Sequence, residues 1–227
     1  MCGRFVLAVQ PQQMALEFAV GNLPQLAANY NVAPTQPVAV ITNETERQVS
    51  LYKWGLLPSW AKDASMAAKM INARSETVDE KPAFRAAFKR RRCIIPANGF
   101  YEWRVNADGK KTPMYIHLKD RELFGFAGLW EVWHSPEGDE VRTCTILTTE
   151  ANSFMQSLHT RMPVILHRED YEAWLQPGEM AAAPLKTLLR QYEDEKMTAY
   201  EVSRAVNRAG FSSPEMITPV QSPPLLL

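Results

Sequence analysis

Short runs of apolar residues, several of them alternating with polar ones, occur along most of the chain and are bounded by glycine, proline and asparagine. This pattern is typical of β-strands, whereas the apolar residues of a helix recur every three or four positions. It predicts nine strands, over residues 4–9, 38–42, 49–55, 92–96, 99–105, 113–118, 123–129, 141–148 and 163–167. An Asp-Gly pair within residues 106–110 predicts a tight hairpin, and residues 135–139 predict a second one.

Helical patterns are fewer and cover residues 11–20, 81–90, 151–156, 168–175 and 181–192, while the amides and proline of residues 29–35 predict a loop. Many short strands joined by hairpins predict an α+β fold. We expect a single compact domain with a curved, barrel-like, mainly antiparallel β core and peripheral helices. No repeat or low-complexity linker divides the chain, so this domain is expected over residues 1–211, followed by a loose proline-rich extension over residues 212–227.

Composition and charge narrow the classes of function. The 25 Lys and Arg residues balance 25 Asp and Glu residues, so a nucleic acid would have to bind to a locally basic surface. The three cysteines are widely spaced and the four histidines show no paired spacing, so we expect no disulfide framework, no metal and no cofactor. Cys93 and Cys144 lie in strand-like runs and are expected in the core. Without an apolar run of ~20 residues or a signal peptide, we expect a cytoplasmic protein outside the membrane.

Cys2 is the first candidate for chemistry. Once Met1 is removed, this residue carries an α-amine and a thiol on adjacent carbons. An α-amine is far less basic than a lysine and is partly unprotonated near neutral pH, and a thiolate is a strong nucleophile. Together they can convert one aldehyde into a Schiff base and then into a five-membered thiazolidine. The sequence leaves open whether Met1 is removed, and a cysteine without function at a frayed terminus is the alternative.

Three polar residues in strand-like segments are candidates for orientation and proton transfer. Asn72 lies on a short extended run, where its amide could orient an amine. Glu102 stands between Tyr101 and Trp103, and apolar surroundings favour the protonated carboxyl group that a general acid requires. His159 precedes an apolar strand, and histidine suits proton transfer near neutral pH. A solvated strand, an exposed edge glutamate and a structural histidine are the respective alternatives.

Cationic and aromatic side chains near these residues could bind a nucleic acid. Arg74 shares a strand face with Asn72, and its planar guanidinium suits a phosphate. Trp60 follows a break made by a glycine and a proline, where its ring could stack on a base, a contact worth ~1–3 kcal/mol in single-strand binders. Trp54 precedes the break and is a candidate either for the core or for stacking.

Seven segments, taken in order along the chain, resemble the SOS-response-associated peptidase family of abasic-site processing proteins. They run from residue 2 to residue 207, and it is their order, rather than any one of them, that makes the resemblance specific. The segments are Cys2-Gly3-Arg4-Phe5, Tyr30-Asn31-Val32-Ala33-Pro34, Trp54-Gly55-Leu56 with Pro58, Ile71-Asn72-Ala73-Arg74-Ser75-Glu76, Gly99-Phe100-Tyr101-Glu102-Trp103, His159-Thr160-Arg161-Met162-Pro163-Val164 and Val202-Ser203-Arg204-Ala205-Val206-Asn207.

The resemblance implies a β-barrel-like domain with a basic channel for single-stranded DNA, and a cross-link between the N-terminal cysteine and the ring-opened aldehyde of an abasic site. It implies that Cys2 is the nucleophile, that Asn72 positions its amine, and that Glu102 and His159 act on the sugar. The partner expected is single-stranded DNA with abasic sites, bound at the nucleoid by a monomer that shields the lesion. We assign the DNA contacts to Arg4, Trp54, Trp60, Arg74 and Arg161.

Two other functions use the same residues. A thiol peptidase, including one that removes its own leader residue, would use Cys2 with His159 and a supporting Glu102 or Asn72, and would need the thiolate but not a free α-amine. A non-catalytic single-strand binder would depend on Trp60 and the arginines and not on Cys2. Lyase activity on the abasic strand is a further alternative, in which His159 would assist proton transfer during strand cleavage.

Overall fold

The computed structural model describes residues 2–22, 25–44 and 46–220. Within these residues, thirteen strands form two sheets. Their bounds are β1 (Phe5–Leu7), β2 (Asn29–Val32), β3 (Pro37–Thr42), β4 (Val49–Trp54), β5 (Asn72–Arg74), β6 (Arg92–Ala97), β7 (Gly99–Val105), β8 (Lys111–Leu118), β9 (Phe124–His134), β10 (Glu140–Glu150), β11 (Arg161–Pro163), β12 (Ile165–Leu166) and β13 (Met197–Glu201).

Short helices lie between the strands in the described part of the chain: α1 (Pro11–Phe18), α2 (Arg85–Arg90), α3 (Ser153–Gln156), α4 (Tyr171–Trp174) and α5 (Ala182–Thr187). The helices predicted over residues 81–90 and 181–192 are shorter than expected. Their flanks form turns that are closed by hydrogen bonds from residue i to residue i−3, such as the bond from Phe84 N–H to Lys81 O. None of the described helices has the length and apolar character needed to cross a membrane.

Five strands close into a barrel. The order β10-β4-β3-β6-β9 returns to β10 because β9 and β10 pair along their length, from Glu140 opposite His134 to Ile146 opposite Gly128. Only the β4–β10 pair of this ring is parallel. Ring side chains such as Trp54, Ile94 and Phe126 are buried in one apolar cluster. The expected single α+β domain with a barrel-like, mainly antiparallel core is confirmed.

The second sheet has the order β13-β8-β7-β1-β2 and positions the N-terminus. Side chains alternate across β7, so Phe100 and Glu102 face one side while Tyr101 and Trp103 face the other. Phe100 packs in the main core, whereas Tyr101 belongs to a separate outer cluster with Val6. Since β1 pairs with β7 through Phe5 and Phe100, the residues just before β1 lie beside β7.

Two segments with an explicit prediction, residues 29–32 and residues 212–220, differ from that prediction. Residues 29–32, predicted as loop, form β2, an edge strand whose polar side chains make specific contacts: Asn29 Oδ1 accepts a hydrogen bond of 2.9 Å from Asn31 N. The extension expected from residue 212 is packed as far as residue 220, because Met216 is 1% exposed and Pro219 bridges to Val202. The expectation of a loose extension is therefore wrong for residues 212–220, and residues 221–227 lie outside the described part.

Gly55 turns the chain out of β4 with φ +128°, a conformation that favours glycine. A Cβ there would lie 2.4 Å from Ala67 O, and the chain is held by a 3.0 Å bond from Leu56 N to Met70 O. We expect Gly55→Ala to lower the free energy of unfolding by about 2–3 kcal/mol, measured by urea denaturation. The control is Gly109→Ala, at φ +77° with nothing within 4 Å, where about 1 kcal/mol is expected. Equal losses would contradict the role given to the Ala67 contact.

Candidate active site

Cys2 is fully buried and lies against β5. Its carbonyl oxygen accepts a hydrogen bond of 2.9 Å from Asn72 Nδ2, and its Sγ lies 3.9 Å from Arg4 O. Asn72 is held by the pairing of β5 with β10, where it stands opposite Ile146. The structure thus brings together two residues that are 70 positions apart in the sequence. The other cysteines, Cys93 and Cys144, are unpaired core residues, as expected.

Glu102 is 4% exposed and lies close enough to Cys2 for its charge to act on the thiol. Burial raises the pKa of the Cys2 thiol well above its usual range, and the carboxylate of Glu102 raises that pKa further. Cys2 therefore holds a protonated thiol at neutral pH in this conformation. A buried thiol beside a carboxylate is a poor thiolate nucleophile but can transfer its proton to a neighbouring base.

His159 lies just before β11, and its ring orientation is fixed by the backbone. Arg161 N–H donates to His159 Nδ1 at 2.9 Å. Since Nδ1 accepts this bond, the contact assigns the proton of a neutral imidazole to Nε2. A neutral His159 ring therefore has its N–H group at Nε2, the kind of donor that suits a sugar oxygen or a phosphate.

The arginines expected to contact DNA differ in their surroundings. Arg74 is exposed. The Arg161 side chain is 13% exposed and binds Glu76 through two bonds of 2.7 and 2.9 Å, as well as Thr148 O at 2.7 Å. Burial opposes ionisation of Glu76, but the Arg161 hydrogen bonds outweigh it and hold the pKa of that carboxyl below its usual range. Arg161 thus already has a bidentate anionic partner.

Arg4 lies on the opposite face from Phe5 and has neutral partners. Its Nη1 donates to Asn31 Oδ1 at 2.8 Å and to Val206 O at 2.7 Å. No acidic side chain forms an ion pair with Arg4 among the described residues. The charge of Arg4 is therefore available to an anion, although burial lowers the pKa of its guanidinium.

The two tryptophans have different environments. Trp60 is 57% exposed and offers its ring to solvent. Trp54 is fully buried, with its ring 5.2 Å from that of Phe5 and its Nε1 donating to Ile71 O at 2.8 Å. Trp54 is therefore a core residue that packs against β1, the strand after Cys2, and offers no face to a base, which corrects its assignment as a DNA contact.

Sequence reasoning missed two polar residues at this end of the molecule. Glu76 forms an ion pair with the guanidinium of Arg161, and Asn31, which is 1% exposed, accepts a hydrogen bond from Arg4. Both lie in segments that carry the family resemblance, but their partners are distant in sequence and no local pattern indicates them. Within the described residues, no group of three or more His, Cys, Asp or Glu side chains is arranged to hold a metal ion.

Comparison with known proteins identifies the family. A family model described as SOS response associated peptidase (SRAP) matches residues 1–209. The chain belongs to this family. Abasic site processing protein YoqW of Bacillus subtilis is 45% identical over 221 residues, which cover 96% of this chain and 99% of that protein. Abasic site processing protein HMCES of Xenopus tropicalis is 28% identical, covering 88% of this chain and 68% of that protein.

The fold of this SRAP protein recurs in a solved structure. A crystal structure of a protein from Bacteroides thetaiotaomicron superposes with a TM-score of 0.88 at 29% identity, covering 97% of this chain and all of that one. The family resemblance drawn from the seven segments is confirmed by the family model and the relatives, and the fold is shared with this solved structure.

Proposed function

We propose that this SRAP protein, once Met1 is removed, binds single-stranded DNA and cross-links Cys2 to an abasic site, which shields the lesion. The observation that carries the proposal is the placement of Cys2, buried against Asn72 and Glu102 with its carbonyl held at 2.9 Å by Asn72. Relatives named abasic site processing proteins match the chain over nearly its whole length, which supports the choice of substrate.

The protonation state of the thiol sets the order of the steps. Burial of Cys2 disfavours the thiolate, so we expect the α-amine to attack the ring-opened aldehyde first. Glu102 takes a proton from the α-ammonium group, which frees the amine to attack, and then donates that proton to the hydroxyl of the carbinolamine, which leaves as water and yields a protonated imine. The thiol then adds across the C=N bond: sulfur bonds to carbon, its proton leaves through Glu102, and the nitrogen ends protonated as the ring amine of a thiazolidine.

The remaining site residues serve the DNA strand. We assign His159 to the sugar, with a role in proton transfer during strand cleavage or release. Arg4 and Arg74, which are without acidic ion-pair partners among the described residues, bind phosphates. Arg161 also binds a phosphate if that phosphate displaces Glu76 from its guanidinium. Trp60 supplies an exposed ring for a base.

The proposal is tested by incubating the protein with single-stranded DNA that carries one abasic site and resolving the products on a denaturing gel. A shifted, heat-stable adduct is expected with protein that has lost Met1, and none with protein that retains it, because an acylated nitrogen cannot form a Schiff base. DNA carrying a tetrahydrofuran analogue, which has no aldehyde, is the matched substrate control. Equal adduct with and without Met1, or with the analogue, would overturn the proposal.

A thiol peptidase acting on other substrates is disfavoured by the same site. Such an enzyme needs a low thiol pKa, whereas burial and Glu102 both raise the pKa of Cys2. The hydrogen bond fixed on His159 Nδ1 also comes from Arg161 N–H and not from a thiol.

Asn72→Asp is expected to slow adduct formation about tenfold, measured as the single-turnover rate at saturating DNA. The change replaces the Nδ2 donor by a second carboxylate oxygen that faces Cys2 O and repels it, which costs a hydrogen bond worth about 1 kcal/mol and misplaces the amine. Asn106→Asp makes the same chemical change in the 106–110 hairpin and is the control. A wild-type rate in Asn72→Asp would show that the contact does not position Cys2.

A further inference from the structure

The segment over residues 203–217 packs across the outer face of the second sheet and is held there by hydrogen bonds to three strands. Tyr200 Oη of β13 donates to Ile217 O at 2.6 Å, Trp103 Nε1 of β7 donates to Asn207 Oδ1 at 2.8 Å, and Ser212 Oγ accepts from Tyr30 N of β2 at 2.8 Å. This segment carries the last of the seven family motifs, and the proposed chemistry gives it no role.

Asn31 connects this segment to the N-terminal strand. Its Nδ2 donates to the carbonyls of Val206, Arg208 and Phe211 at 3.3, 3.1 and 2.8 Å, while its Oδ1 accepts from Arg4 Nη1 at 2.8 Å. The amide is almost fully buried, and its donors and its acceptor are both used. A residue with only donors or only acceptors could not make both sets of contacts.

The consequence of this network is the orientation of Arg4. One nitrogen, Nη1, is anchored to Asn31 and Val206 O, and no hydrogen bond from Nε or Nη2 occurs within the described residues. The anchoring partners are neutral, so no acid balances the charge of the Arg4 guanidinium. The charge of Arg161, in contrast, is balanced by Glu76. Arg4 is two residues from Cys2, and a sugar bonded to Cys2 carries phosphates on its flanks.

We infer that Asn31 is a positioning residue for DNA binding: together with residues 206–211, it holds Arg4 so that the free edge of its guanidinium meets a backbone phosphate beside the reacting sugar. This inference rests on the proposed function, since it assumes that single-stranded DNA binds at Cys2. It gives the C-terminal segment a role in DNA binding without direct contact.

Salt dependence tests the inference, with binding of intact single-stranded DNA measured by fluorescence anisotropy from 0.1 to 1 M salt. One phosphate contact contributes a slope of about 0.7 in log K against log salt, which corresponds to about fivefold in affinity between these concentrations. Arg4→Gln is expected to lower the slope by that amount. Asn31→Asp, which would neutralise Arg4, and Asn31→Ser, which would release it, are expected to do the same and to add nothing in combination with Arg4→Gln.

Ser212→Ala is the matched control because it removes another tie to the same segment without touching Arg4. It is expected to keep the wild-type slope. A merely structural role of Asn31 would lower thermal stability and leave the slope unchanged, so unaltered slopes in both Asn31 variants, or in Arg4→Gln, would overturn the inference. Adduct formation by the wild-type protein is scored separately, so failure of the proposed function is distinguished from failure of this inference.

Discussion

Cys2→Ala, prepared without Met1, is expected to form no stable adduct with abasic single-stranded DNA. Alanine keeps the α-amine, so the Schiff base still forms, but no thiol is present to close the ring and the imine hydrolyses. Borohydride should therefore trap the intermediate in Cys2→Ala, while untreated samples give only background on a denaturing gel. The measurement separates the two nucleophiles of one residue: the amine makes the first bond, and the thiol makes the product stable.

Cys144→Ala is the control for this prediction, because Cys144 is an equally buried thiol in the barrel strand β10. Its loss costs packing and some stability but should leave the adduct unchanged. If Cys2→Ala gave as much heat-stable adduct as the wild-type protein, the proposal that the product is a thiazolidine would be wrong. If borohydride trapped nothing in Cys2→Ala, the amine would not be the first nucleophile.

Most strands of the two sheets could be predicted from local pattern, because each buries one or both faces and so shows alternation or an apolar run. β7 is an example, predicted over residues 99–105 and observed as Gly99–Val105. β2 was missed because its polar side chains serve partners elsewhere, such as the C-terminal segment held by Asn31. β13 (Met197–Glu201) was missed because it pairs with β8, some 80 residues away, and such pairing leaves no local signal.

The site shows the same division between local chemistry and distant contacts. Residue type singled out Cys2, Asn72 and Glu102, and the structure places the three together. Residue type could not tell Trp54 from Trp60, since which of two tryptophans is buried depends on the turn at Gly55 and on packing against Phe5. Nor could it show that Arg161 is already paired with an acid while Arg4 is not.

The contrast between the arginines suggests how a chain with no net charge binds a polyanion. Arg4 is held by neutral groups and keeps its charge, while Arg161 must exchange Glu76 for a phosphate. Binding of a phosphate to Arg161 therefore requires that an ion pair is broken, whereas binding of a phosphate to Arg4 does not. We expect the phosphate at Arg4 to contribute more to affinity, because its partner geometry is in place before DNA arrives.

Glu102→Gln is expected to have opposite effects on two reactions of Cys2. The amide cannot donate the proton that expels water from the carbinolamine, so the single-turnover rate of adduct formation should fall about 10²–10³-fold, within the range of general acid catalysis. The carboxylate also raises the pKa of the Cys2 thiol. Its removal should let more of the thiol ionise at pH 8, so that iodoacetamide alkylates Cys2 faster, as followed by peptide mass mapping.

Glu131→Gln is the matched control, because Glu131 is a buried glutamate (6% exposed) in β9 that pairs with Arg91 at 2.7 Å, far from Cys2 in the sequence. It should lose stability, since Arg91 is left without its partner, but keep the wild-type rates of adduct formation and alkylation. An unchanged adduct rate in Glu102→Gln would remove the general acid from the mechanism. Unchanged or slower alkylation would show that Glu102 does not hold the thiol protonated, and the order of amine before thiol would lose its electrostatic basis.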